Sequence, residues 1–128
     1  LLKDGNDATI ITTGTLMNEG VKAVDTLKKD HGINVRLLQM ASIKPIDVIA
    51  LKKAANETGL LITVEEHNII GGLGSAVSEV ISEIGSTKVI RLGINDHFCE
   101  IVGSPAYLFN QINLTAKRII EITLENKK

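Results

Sequence analysis

The chain has 128 residues, 44% hydrophobic and 23% charged, with a formal net charge of −1, which predicts one globular domain and argues against a nucleic-acid or anionic-membrane partner. A lone cysteine, Cys99, excludes an internal disulfide, and the cysteine and histidines are not spaced for a zinc site. No apolar run approaches the ~20 residues of a membrane span and no signal-peptide pattern opens the chain, so we predict a soluble, cytoplasmic protein.

Strands and helices are predicted to alternate along the chain. Short β-branched runs favour strands, whereas apolar residues at intervals of three and four favour helices. Asp47 suits the first turn of its helix, and Thr115 suits the cap of the last one. In chain order we predict a strand at 8–13, a helix at 17–29, a strand at 35–40, a helix from 45 or 46 to 55, a strand at 60–64, a helix at 73–84, a strand at 88–92, a short helix at 104–109 and a helix at 115–126. Alternation with short links predicts a doubly wound, three-layer α/β/α fold.

Four loops should meet at one edge of this sheet, because each follows the carboxyl end of a parallel strand. They cover 14–15, 41–45, 65–74 and 93–97. The edge is therefore expected to collect carboxylates and imidazoles near the backbone amides of a glycine-rich loop. We take as candidate residues Thr13, Gly14, Thr15, Glu65, Glu66, His67, Gly71, Gly72, Gly74, Asp96 and His97.

Two chemical interpretations of this edge are open. A glutamate beside His67 could act as an acid/base pair, but Glu65 and Glu66 are adjacent in a strand and should point to opposite faces. The glycine loop 71–74 could cradle a phosphate, but it lacks the dinucleotide spacing and the Lys-Ser/Thr of a P-loop. The structural interpretation is favoured for both: the glutamates cap backbone amides, and the glycines allow a tight turn against the sheet.

The stretch 65–74, Glu-Glu-His-Asn-Ile-Ile-Gly-Gly-Leu-Gly, resembles a signature of the carboxy-terminal domain of transketolase-type, thiamine diphosphate-dependent enzymes. Further segments resemble the same family in the same order, at 12–15, 35–47, 93–98 with Gly103 and Leu108, and 115–122. Cys99 departs from the pattern, which has a small residue or glycine there. Five matches in the correct order make the resemblance specific.

The resemblance implies a three-layer α/β/α domain over 1–128, with a Rossmann-like, mostly parallel sheet of about five strands. The family's antiparallel edge strand would be represented only by 1–3, and the chain, which lacks an initiator Met, is expected to be a fragment of a longer one. Family members hold thiamine diphosphate and magnesium across a dimer, between a pyrophosphate-binding and a pyrimidine-binding domain. The carboxy-terminal domain packs against these, so we carry over no catalytic, cofactor-binding or metal residue.

By resemblance, the parent enzyme transfers a two-carbon ketol unit between sugar phosphates, as in the pentose phosphate pathway, and this domain is structural, dimer-supporting or regulatory. Rival parents are 1-deoxyxylulose-5-phosphate synthase and the β subunit of 2-oxo acid dehydrogenases. The signature at 65–74 favours transketolase over both. A rival of another class is a stand-alone module that binds an anion or a nucleotide at the sheet edge.

Overall fold

Strands and helices alternate in the computed structural model, which describes residues 1–85 and 87–127 and confirms the predicted α/β class. None of the helices within these described residues is long and apolar enough to span a membrane. The elements are β1 (Ala8–Thr12), a 3₁₀ turn (Gly14–Leu16), α1 (Met17–His31), β2 (Val35–Gln39), α2 (Val48–Thr58), β3 (Leu60–Asn68), α3 (Leu73–Ser82), β4 (Lys88–Ile94), α4 (Pro105–Gln111) and α5 (Ala116–Asn126).

The strands form one parallel sheet in the order β2-β1-β3-β4. Every residue of β1 is buried, because helices cover both faces of the sheet. One apolar cluster joins the sheet to α1 and α5, and the other joins it to α2 and α3. The result is the predicted three-layer arrangement, with the carboxyl ends of all four described strands at one edge.

The expected fifth strand is reduced to a single antiparallel bridge. Lys3 pairs with Leu37 of β2, and the Leu2 N–H donates to the Leu37 carbonyl at 2.9 Å. The sheet within 1–85 and 87–127 therefore has four strands, fewer than the predicted five.

Two element boundaries differ from the prediction for identifiable reasons. Strand β3 continues four residues past Val64, because Asn68 pairs with Ile94 of β4 beyond a register shift. Helix α2 begins only at Val48, since Asp47 caps it from outside: its carboxylate accepts from the Ala50 N–H at 2.9 Å. The first difference places both signature glutamates, Glu65 and Glu66, within β3 and beyond its predicted end at Val64.

Glu19 connects α1 to α5 across one face of the sheet. Its carboxylate accepts from the Ala116 N–H at 2.8 Å and from Lys22 Nζ at 2.6 Å. Burial alone raises the pKa of Glu19, but the hydrogen bonds from Lys22 and from the Ala116 amide outweigh it and hold the pKa below the ordinary 4.5. Glu19 is therefore stabilised as a carboxylate in the folded state.

We expect Glu19 to make folding stability depend on pH in the acid range. A carboxyl whose pKa is lowered by folding contributes stability above its unfolded pKa, near 4.5, and this contribution is lost as pH falls through the folded pKa. Urea unfolding followed by circular dichroism at a series of pH values should show a shallower acid loss for Glu19→Gln than for wild type. Equal pH slopes for the two proteins would contradict the assignment, and Glu125→Gln, an exposed glutamate of α5, is the control.

Candidate functional site

A cavity of about 380 Å³ opens at the carboxyl edge of the sheet, where the chain leaves β1 and β3. We call it the edge cavity. All but one of its lining residues belong to the predicted candidate set, and Ile43 is the addition. The lining consists of Thr13, Gly14, Thr15, Ile43, Glu65, Glu66, His67, Gly71 and Gly72.

Glu65 is fully buried beside the cavity and serves as the cap of α3. Its two carboxylate oxygens accept from the Leu73 N–H at 2.6 Å and from the Gly74 N–H at 2.8 Å. A negative charge at this position also complements the positive end of the helix dipole. The amides that an exogenous phosphate would use at this helix N-terminus are therefore already occupied.

Glu66 points away from α3 and is exposed. The alternation follows from the extension of β3, since successive side chains of a strand lie on opposite faces. Its Oε2 atom accepts a hydrogen bond from Thr15 Oγ1 at 2.6 Å. This bond links the end of β3 to the turn after β1, and fixes the orientation of an otherwise free carboxylate.

His67 does not form an acid/base pair with Glu65 in this geometry. Its Nδ1 lies 2.7 Å from the Asn68 carbonyl oxygen but 3.9 Å from Glu65 Oε2, beyond hydrogen-bonding distance. A carbonyl cannot donate, so Nδ1 carries the proton and, in the neutral ring, Nε2 is a hydrogen-bond acceptor. The side chain is 60% exposed.

The glycines of the loop meet different steric demands. Gly71 has a positive φ of 79°, and a Cβ there would meet nothing within 4 Å. Gly72 has an ordinary φ of −95°, but a Cβ there would overlap the Glu65 carboxylate and lie 2.7 Å from His67 Nδ1. A Cβ on Gly74 would lie 2.8 Å from Thr63 Oγ1. The turn needs one left-handed residue and a close approach of α3 to the sheet, as the structural interpretation requires.

Three predicted candidates lie outside the edge cavity. Gly74 lies within α3, and Asp96 accepts from Asn68 Nδ2 at 2.9 Å, which ties the loop after β4 to the end of β3. His97 lines a separate, shallow cavity next to Phe98 and the end of α4. The loop 41–45, which contains Ile43, is predicted at this edge from the sequence. Ile43 itself is not selected as a candidate, because an apolar side chain carries no chemical signal of a site.

The donor set of the edge cavity does not fit a magnesium diphosphate group. Both oxygens of Glu65 are used by amides of α3, which leaves Glu66 as the only other carboxylate of the lining. Across residues 1–85 and 87–127, no group of three or more His, Cys, Asp or Glu side chains is placed to hold a metal ion. That this domain binds no cofactor remains a prediction.

Comparison with known proteins agrees with the family resemblance of the sequence. The family model described as "Transketolase, C-terminal domain" matches residues 1–119. A Methanocaldococcus jannaschii protein is 48% identical to this chain over 77% of this chain and 30% of its own length. That protein is named as a transketolase C-terminal section. A 1-deoxy-D-xylulose-5-phosphate synthase of Shouchella clausii is 40% identical over 94% of this chain and 19% of its own.

A solved structure matches the fold along the whole chain. It is a split-gene transketolase described as an inactive β4 tetramer, with a TM-score of 0.91 and 39% identity, covering 100% of this chain and 42% of that one. The chain thus spans less than half the length of each of these similar proteins.

Proposed function

The chain belongs to the transketolase carboxy-terminal domain family, and from this we propose that it is a non-catalytic, assembly-supporting domain of a transketolase. The observation that carries the proposal is that the signature glutamate, Glu65, is a structural cap. Glu65, the most buried carboxylate of the sheet edge, caps α3 with both oxygens and has no free oxygen for chemistry. The signature residues therefore support the loop geometry at the edge rather than a reaction centre.

The proposed parent is a cytoplasmic transferase of the pentose phosphate pathway that moves a two-carbon ketol unit between sugar phosphates. Thiamine diphosphate and magnesium belong to its pyrophosphate- and pyrimidine-binding domains, in the same chain or in a separate subunit, and the parent assembles as a homodimer. The split-gene neighbour supports the arrangement with a separate subunit, and the short span of this chain relative to similar proteins supports further domains in the parent.

The transketolase assignment is supported by the 48% identity to the transketolase section and by the split-gene transketolase structure, which covers 100% of this chain at 39% identity. The 40% identity to the synthase over 94% of the chain keeps that enzyme as the alternative parent. A stand-alone anion-binding module would need free amides at the start of α3, and Glu65 occupies those of Leu73 and Gly74.

We expect this chain alone to bind no thiamine diphosphate, because the residues it offers at the edge cavity do not fit a magnesium diphosphate group. Calorimetric titration with thiamine diphosphate and Mg²⁺ should give no heat of binding beyond dilution. The complete parent protein, as the matched positive control, should bind the cofactor and transfer a ketol unit from a ketose phosphate to an aldose phosphate.

Two results would contradict the proposal. Micromolar cofactor affinity of the chain alone would mean that its own residues supply ligands. A parent that condenses a 2-oxo acid with an aldehyde, with loss of CO₂ and without ketol transfer, would favour the synthase.

A further inference from the structure

We propose that the edge cavity receives a cationic side chain from a second subunit of the parent assembly, and that Glu66 is its anchor. This inference rests on the proposed function, because it needs an assembly in which the sheet edge meets a partner. It goes further by naming the cavity, the anchoring residue and the chemistry of the occupant.

The charge of the cavity lining indicates the sign of the occupant. Neither lysine nor arginine is among the residues that line it. Both carboxylate oxygens of Glu65 accept from amides of α3, so Glu66 is the carboxylate of the lining that remains available to a partner. The cavity therefore offers an anionic group to an incoming donor.

The walls and rim suit a long side chain with an apolar stem. Ile43 lines the cavity and is 39% exposed, so it presents apolar surface to an occupant. Arginine and lysine bury their methylene groups along such apolar surface while the charged head reaches a carboxylate. A volume of about 380 Å³ has room for a single side chain of this kind.

Glu66 is oriented before any partner arrives. Thr15 Oγ1 holds one carboxylate oxygen at 2.6 Å, so less side-chain entropy is lost on binding than for a free surface glutamate. An ion pair on an open surface contributes little, whereas one covered by an interface is less screened and contributes more. This difference favours a side chain delivered by a protein partner over a free small cation.

The test is the dissociation constant of the complete parent assembly, measured by analytical ultracentrifugation at low and high salt. Glu66→Gln keeps the shape and removes the charge, and we expect it to weaken association about tenfold at low salt and to flatten the salt dependence. Glu66→Lys should weaken association further. Glu79→Gln, an exposed glutamate of α3 outside the cavity lining, is the matched control and should associate as wild type.

Unchanged association and unchanged salt dependence of a folded Glu66→Gln protein would overturn the proposal. So would a cavity that binds free arginine while assembly ignores the substitution. The wild-type assembly is assayed for ketol transfer in parallel. If transfer is absent, the proposed function fails whatever the association data give; if transfer is present and Glu66→Gln associates normally, only the cavity proposal fails.

Discussion

Replacing Glu65 by alanine is expected to lower the free energy of unfolding of this domain by about 3 kcal/mol. Glu65 is 0% exposed, and its carboxylate accepts from the amides of Leu73 and Gly74 at 2.6 and 2.8 Å. Alanine would leave both amides without an acceptor in a buried position and would remove the favourable charge at the start of α3. Urea unfolding followed by circular dichroism measures the loss.

The adjacent glutamate provides the control for this experiment. Glu66 is exposed, and Glu66→Ala should change stability by no more than about 0.5 kcal/mol. Glu65→Gln keeps the shape but presents an amide group to one of the N–H donors, so its stability should fall between those of wild type and Glu65→Ala. Equal effects of alanine at 65 and 66 would contradict the capping role of Glu65.

Replacing Gly72 by alanine is expected to cost about 2 to 3 kcal/mol. Its backbone angles are accessible to alanine, so the cost does not come from a left-handed conformation. It comes from space: the new Cβ would overlap the Glu65 carboxylate, which would have to leave the amides of α3. Thermal or urea unfolding of the variant measures the effect.

A double-mutant cycle distinguishes this steric mechanism from backbone strain. Once Glu65→Ala has removed the carboxylate, Gly72→Ala should cost less than half of its value in the wild-type background, since the two sites are in direct contact. Gly71→Ala is the comparison: its φ of 79° predicts a loss of about 1 kcal/mol that does not depend on Glu65. Additive effects of the substitutions at 65 and 72 would rule out the overlap.

The order of elements and the family were accessible from local sequence patterns. The β-branched run at 8–12 and the glycines that follow helices are short-range signals, and the structure places strands and left-handed helix ends at these points: Gly32 and Gly59 both have a φ of 66°. The signature at 65–74 led to a family that the match over 1–119 and the TM-score of 0.91 confirm. Such signals depend on residues that are close in sequence.

Hydrogen bonds between residues far apart in sequence determined the end of β3 and the roles of Glu65 and Glu66, which the local sequence pattern did not. Sequence reasoning ended the third strand at Val64, because the polar run after it resembles a loop; pairing of Asn68 with Ile94 extends the strand. That extension turns Glu65 under α3 and Glu66 toward Thr15, so two identical residues acquire opposite roles.

The sequence by itself determined the α/β class, the alternation of elements, the gathering of the candidate loops at one edge and the family. Only the tertiary structure decided which amides Glu65 caps, that His67 is too far from Glu65 for a hydrogen bond, and that His97 lies outside the edge cavity. The physical reason is the distance along the chain over which each effect acts. Propensity and periodicity act over a few residues, whereas the environment of a side chain depends on strands and helices that the fold brings together from distant positions.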